Sequence, residues 1–255
     1  VTSTLEQTSP RSTSYALAAA LPLACAGIVL AAALTLVLGV IGLAIGLVLT
    51  VVAVVVRMRT FTAGVDEAIL GQLGAVPATG DNAAGFHNLA EGLSATAGVP
   101  LPSLFLIETP SVNLLVVGTD SDHASIVATS GLLAQLSRVE LEAVVARAFV
   151  LLRQGEVYSD TMGLRLERAP MTRLFASALG HRSRSDDADR DVLLDRAAVM
   201  LTRYPPGLIG ALGVCERVGA MVSSGSPSLR RLWLVDPVAV DADALSHRME
   251  ALRLL

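Results

Sequence analysis

The distribution of apolar and polar positions divides the chain into two unlike parts. Residues 16–56 form 41 consecutive positions without a charged side chain. The only hydroxyls in this run are Thr35 and Thr50, and it holds one proline, Pro22, and one cysteine, Cys25. A single helix of that length would span about 60 Å, roughly twice the hydrocarbon thickness of a bilayer. Two helical spans of about 20 residues fit better, with the reversal near Gly39, Gly42 and Gly46. The run is too long for the apolar core of a signal peptide, which is about 7–15 residues. One long tilted span, or a re-entrant hairpin, is the alternative.

After the run the pattern changes to short amphipathic segments. Residues 61–73 and 84–97 read as helices, the second closed by Gly98, Pro100 and Pro102. The segments 103–108, 112–118 and 124–128 are short runs of strand type, and "TPS" and "TDSDH" supply the turns between them. They predict a small, largely antiparallel sheet. Ser137 and Glu140 form an S-x-x-E capping box that starts a helix at about residue 138. Leu141, Val144, Val145, Ala148, Leu151 and Leu152 make one helical stripe, and Phe149 and Val150 lie off it. A helix apolar on several sides is buried nearly all round. Gly155 marks its end.

A further helix starts in "RSRSDDADRD", with Ser185 as cap and Asp186 and Asp187 at its positive end, and runs to about Arg203. Another covers 207–222 after "YPPG". "RLWLVDP" (231–237) reads as a late strand and 241–255 as a terminal helix.

Charge refines this picture. Arg11 precedes the apolar run, Arg57 and Arg59 follow it, and the loop between the spans is uncharged. Positive flanks face the cytoplasm, so both ends of the hairpin are expected there. This predicts an α+β protein: a cytoplasmic N-terminal tail (1–14), a two-span transmembrane hairpin (15–57) and a cytoplasmic domain (60–255) in the inner membrane. The bilayer is then one partner. A net charge of −4 argues against nucleic acid as another. Cys25 and Cys215 suggest no disulfide framework.

Taken in order, several segments resemble the HtpX-like family of integral-membrane zinc metallopeptidases. They are the N-terminal hairpin, "NLAEGLSATAGVPLPSLFLIETPSVNLLVVG", "HASIVATSGLLAQLSRVELEAVVA", "LWLVDP" and "LSHRMEALR". The resemblance implies a gluzincin-type peptidase domain and a role in membrane protein quality control. In that family the capped helix continues as H-E-x-x-H. Two histidines one turn apart bind zinc and the glutamate activates its water. The matching positions here are Arg147, Ala148 and, for the second histidine, Leu151. The third family ligand belongs to an E-x-x-x-D pattern, whose match is read as Ser185 and Asp189.

On this reading the zinc site is lost and no cofactor is expected. His87, His123, His181 and His247 offer no pair within one helical turn. The chain is accordingly expected to be no enzyme but a pseudoprotease, a binding or regulatory partner of a membrane protease or a membrane-protein client. Residues Asn113, Leu114, Leu115 and Val116 are its candidate peptide-binding edge, by strand addition. The alternatives are an active membrane metalloendopeptidase with an unconventional metal centre and a purely structural membrane partner. An arginine in so apolar a helix needs a counter-charge. Arg147 is therefore expected to pair with Asp189 across the former site, unless it snorkels to solvent.

Overall fold

The computed structural model describes residues 10–62, 64–158, 160–161, 184–225 and 227–255. The tail residues before Pro10, His181 and the side chain of Ser185 lie outside the described residues. Two compact units emerge. Among the described residues the first reaches Val65, and the second comprises Asp66–Thr161 and Arg184–Leu255.

The first unit is helix α1, Pro10–Thr62, broken at Gly39, whose φ of 62° and ψ of −142° are open only to glycine. Residues on either side of the break meet at small side chains. A Cβ at Gly27 would strike Thr50, and one at Gly46 would strike Ala31. Thr35 and Thr50 return their hydroxyl hydrogens to the carbonyls of Ala31 and Gly46, each at 2.7 Å, so neither adds an unsatisfied polar group to the apolar run. Leu38–Val56 is long and apolar enough to cross a membrane, and Leu23–Leu36 is a shorter apolar stretch. Leu36, Val40, Ile41 and Val29 are exposed.

The second unit holds all but the first residue of α2 (Val65–Leu73), then β1 (Val76–Pro77) and α3 (Asp81–Ala97). Strands β2 (Ser103–Ile107), β3 (Leu114–Gly118) and β4 (Ala124–Thr129) follow, then the short α4 (Ser130–Gln135). The sheet order is β1-β2-β4-β3. β1–β2 and β3–β4 are antiparallel, and β2–β4 is parallel over Ser103↔Ser125 to Ile107↔Thr129. The sheet is thus mixed, because β4 inserts between β2 and β3. The β3–β4 turn is held by Asp120, whose carboxylate accepts the backbone N–H groups of Asp122 and His123. α4 is fitted against the 109–111 loop at Gly131, where any Cβ would collide with the carbonyls of Pro110 and Ser111.

Helix α5, Arg138–Gln154, has the expected capping box. Ser137 and Glu140 bond reciprocally, and Gly155 ends the helix in the left-handed conformation. Every residue from Ala143 to Leu152 is buried. Around α5 pack α3, α6 (Arg184–Thr202) and α7 (Pro205–Val218), and α8 (Ala242–Arg253) packs on α6 and α7.

The late strand is corrected. Pro227–Leu232 is a 3-10 turn, and only Trp233 bridges to Leu115 while the Leu234 N–H donates to the Leu114 carbonyl at 2.8 Å. Pairing stops there because Asp236 turns the chain, accepting from the N–H groups of Val238 and Ala239.

Candidate functional site

The stripe on α5 carries one charge into the core. Arg147 is 3% exposed. Its Nε donates to Asp195 Oδ1 at 2.7 Å and its Nη2 to Asp191 Oδ1 at 2.6 Å. Asp191 and Asp195 are four residues apart on α6, so both point from one face of that helix. The second carboxylate, fully buried, has another partner. Arg248 of α8 donates from Nε to Asp195 Oδ2 at 2.6 Å and from Nη2 to Oδ1 at 2.9 Å. Its Nη1 donates to the Leu234 carbonyl at 2.8 Å. Two guanidiniums and two carboxylates, neutral in sum, join α5, α6 and α8.

Burial alone would raise the Asp195 pKa. The charges of Arg248 and Arg147 and their hydrogen bonds outweigh burial and hold the carboxyl below its ordinary 3.8. Burial lowers the Arg147 pKa against the pull of Asp191, and Arg248 adds to the lowering. Burial acts downward on Arg248 too, but Asp195 carries it upward. The two arginines therefore shift in opposite directions within one cluster. Both stay charged, because a guanidinium keeps its proton wherever proteins remain folded.

The expected Arg147–Asp189 pair is corrected. Asp189 is exposed and lies in a surface depression with Leu193, Arg196 and His247. A step of two residues on a helix turns the side chain by about 200°, so Asp189 and Asp191 point to opposite sides. Asp191 and Asp195 repeat the four-residue spacing of the E-x-x-x-D pattern, six residues after Ser185 and Asp189. The structure therefore brings Asp191 and Asp195, not Asp189, to Arg147. The crowding of acids in "SDDADRD" hid this register. The 3.6-residue spacing from the buried Leu194 and Ala198 could have revealed it.

The candidate edge is corrected as well. Asn113, Leu114, Leu115 and Val116 are all buried, and residues 233–235 already occupy the edge. Asn113 fixes that cover. Its Nδ2 donates to the carbonyls of Ala220 and Val235 at 2.8 and 2.9 Å, and its Oδ1 accepts the Val235 and Leu114 N–H groups. A buried asparagine clamp is not distinguishable from a strand residue by the composition of the run alone.

The zinc that the resemblance implies does not fit the residues present. Ala148 and Leu151 are buried and apolar, Arg147 brings positive charge, and Asp191 is engaged by that arginine. Among the described residues no group of three or more His, Cys, Asp and Glu side chains could hold a metal ion. His87 Nε2 contacts the Ala78 carbonyl at 2.6 Å, and His123 pairs with Asp120 on the surface.

No family model matches the chain. Curated proteins named "Protease HtpX homolog" do. The one from Limosilactobacillus reuteri is 31% identical over 186 residues, 59% of this chain and 62% of that protein. The one from Dictyoglomus turgidum is 26% identical over 208 residues, covering 69% and 68%. The one from Ligilactobacillus salivarius is 26% identical over 229 residues, covering 74% and 76%. The chain spans a little over three fifths of the length of the first of these. The relatives are proteases by name, and this overturns the expectation that the chain is no enzyme.

Proposed function

The chain belongs to the HtpX-like family, and we propose that it works there as a membrane-anchored, peptidase-fold binding or regulatory partner of membrane proteins or proteases. One observation carries this reading. At the position that the resemblance gives to the metal, Arg147, Asp191, Asp195 and Arg248 form a closed ionic cluster. The cluster joins the helices that a metal would join, and leaves the frame of the fold available for recognition. Zinc is not part of the proposal. α1 serves as a transmembrane hairpin with its reversal at Gly39, and Arg11, Arg57 and Arg59 hold both ends on the cytoplasmic side. The exposed apolar surface of α1 and the close contacts of Gly27 and Gly46 support this arrangement.

The names of the relatives favour a second reading, peptide-bond cleavage. The test addresses both. The full chain is crosslinked in native membranes and purified in mild detergent, and the same preparation is incubated with an unfolded protein, with and without a chelator. Recovery of a defined membrane protein that depends on the hairpin supports the proposal. Chelator-sensitive cleavage by the purified chain replaces it with the second reading. Cysteine substitution at the exposed Ser224 should label only from the cytoplasmic side, and labelling from outside would overturn the topology.

A further inference from the structure

A cavity of about 130 Å³ lies beside the ionic cluster, between α6, α8 and residues 230–241. A buried water needs about 10–15 Å³ of such space, so the cavity has room for a larger guest. The charges on its wall are matched within the protein. Arg190 pairs with Glu156 at 2.7 Å and faces Asp160 at 3.8 Å, and Arg231 faces the same Asp160 carboxylate at 3.8 Å. Arg248 pairs with Asp195, and Asp191 with Arg147. Arg230 and Asp241 are engaged as well, and Asp241 also caps α8 through the Ala244 N–H. A guest of either sign would lose its water and meet like charge on this wall.

Two lining groups keep capacity for a neutral guest. Trp233 is 1% exposed, and its Nε1–H is a buried donor with no acceptor among the described residues. A buried N–H in that state carries the full cost of its desolvation. Asp236 is half-buried. Its Oδ1 accepts the N–H groups of Val238 and Ala239, which leaves Oδ2 as an acceptor. Leu234, Val235, Ala244 and Leu245 make the apolar part of the wall. A neutral donor, a carboxylate oxygen and an aliphatic wall suit an uncharged guest that accepts one hydrogen bond and donates another. An amide does both, through its C=O and its N–H.

We propose that this cavity binds a neutral amide of a partner polypeptide. The amide C=O accepts the Trp233 Nε1–H, its N–H donates to Asp236 Oδ2, and the attached aliphatic group lies on the Leu234–Leu245 wall. The proposal names the ligand chemistry of the binding role above and rests on it. Trp233 is the single tryptophan of the chain, so its fluorescence reports on this cavity alone.

The test uses the full chain in detergent micelles, titrated with probes on one leucine-like stem: isocaproamide, N-methylisocaproamide, methyl isocaproate, isocaproate and isoamylammonium. An amide should change the Trp233 emission saturably. A response to the N-methyl amide identifies a backbone peptide group, and a response to the primary amide alone identifies an Asn or Gln side chain. The ester, which cannot donate, should bind roughly tenfold more weakly, and the acid and the ammonium more weakly still. Asp236→Asn keeps one oxygen for the turn to Val238 and loses the second acceptor, and should weaken the amide roughly tenfold. Trp233→Phe, followed by calorimetry, should weaken it by about the same factor with the helical circular dichroism unchanged. No saturable response to either amide, an ester, acid or ammonium that binds as tightly as the amide, or unchanged affinity in either variant would each overturn the proposal. A partner captured from membranes with no amide response would remove this ligand and leave the binding role standing. A saturable amide response without a partner would do the reverse.

Discussion

Arg147 Nε lies 2.7 Å from Asp195 Oδ1, with the arginine 3% exposed and the carboxylate fully buried. The two partners are not equivalent. Asp195 answers both Arg147 and Arg248, whereas Arg147 can lose its place and leave Asp195 paired with Arg248.

Asp195→Ala is therefore expected to cost more stability than Arg147→Ala. The first leaves two buried guanidiniums to Asp191 alone and should destabilise by roughly 3–5 kcal/mol. The second removes hydrogen bonds to charged groups and should cost roughly 1.5–3 kcal/mol. Denaturant unfolding of the full chain in detergent, followed by Trp233 emission, measures both. The reverse order would mean that Arg147, not Asp195, is the centre of the cluster. Simultaneous replacement of Arg147, Asp195 and Arg248 by apolar residues of similar volume should recover most of the loss.

The acid limb of stability should belong to Asp195. Its folded pKa lies below the ordinary 3.8, because the arginines outweigh burial. A depressed carboxyl contributes stability that is fully present above its unfolded pKa of about 3.9 and is lost as pH falls through the folded value. Unfolding free energy should hold steady from neutral pH to about 5 and decline below about 4. Asp195→Asn should be less stable at neutral pH and flatter below pH 4. An unchanged acid limb in that variant would assign the decline to other carboxyls.

Much of this cluster was half-legible in the sequence. The need of Arg147 for a carboxylate followed from one charge in an apolar stripe, and the capping box and Gly155 fixed where that stripe begins and ends. The identity of the carboxylate did not follow. Five aspartates between 186 and 195 offer several helical faces, and only the packing of Leu194 and Ala198 against the core selects the face of Asp191 and Asp195. Arg248 was invisible for a related reason: it lies more than 50 residues from Asp195 on a helix that otherwise reads as amphipathic. The three strands were read from strand-type runs and the turns between them, but such runs carry no partner, so the parallel β2–β4 pair and the cover of β3 by Trp233 and Leu234 came only from the fold. In the same way "RLWLVDP" has strand composition, and the 3-10 turn before it and the Asp236 turn after it leave room for a single bridge.

Cys215 should be chemically silent in the folded chain. It is fully buried on α7, and burial pushes its thiol up to about 12, so almost none is thiolate at neutral pH. Alkylation at pH 7.5 in a Cys25→Ser background should be slow and should accelerate together with loss of the Trp233 signal in denaturant. Rapid alkylation of the native protein would show that α7 opens locally without global unfolding.

Gly131→Ala tests the packing of α4 against the 109–111 loop. The added methyl meets backbone carbonyls of Pro110 and Ser111, which cannot rotate away as a side chain would. Overpacking against a fixed wall costs roughly 1–3 kcal/mol, and a lowered midpoint of about that size is expected in denaturant. A neutral effect would mean that the loop yields freely.

The ionic cluster either replaces a metal or merely occupies its neighbourhood, and metal content distinguishes the two. Two guanidiniums repel a dication, and Asp191 is already engaged by Arg147. The purified chain should therefore hold zinc far below one ion per chain, and a chelator should leave its thermal midpoint in place. The triple substitution Arg147→His, Ala148→Glu, Leu151→His removes one guanidinium and releases Asp191. It also puts two imidazoles four residues apart on the face of α5 that meets α6, the spacing of a zinc-binding helix. Asp195 keeps its bidentate contact with Arg248, so the α6–α8 half of the cluster survives. Zinc uptake near one per chain, with a chelator-dependent midpoint that the parent lacks, is the expected result. If the triple variant folds and still takes up no zinc, α5 and Asp191 do not frame a metal site. If the parent itself carries zinc at one per chain, the cluster is not where the metal binds.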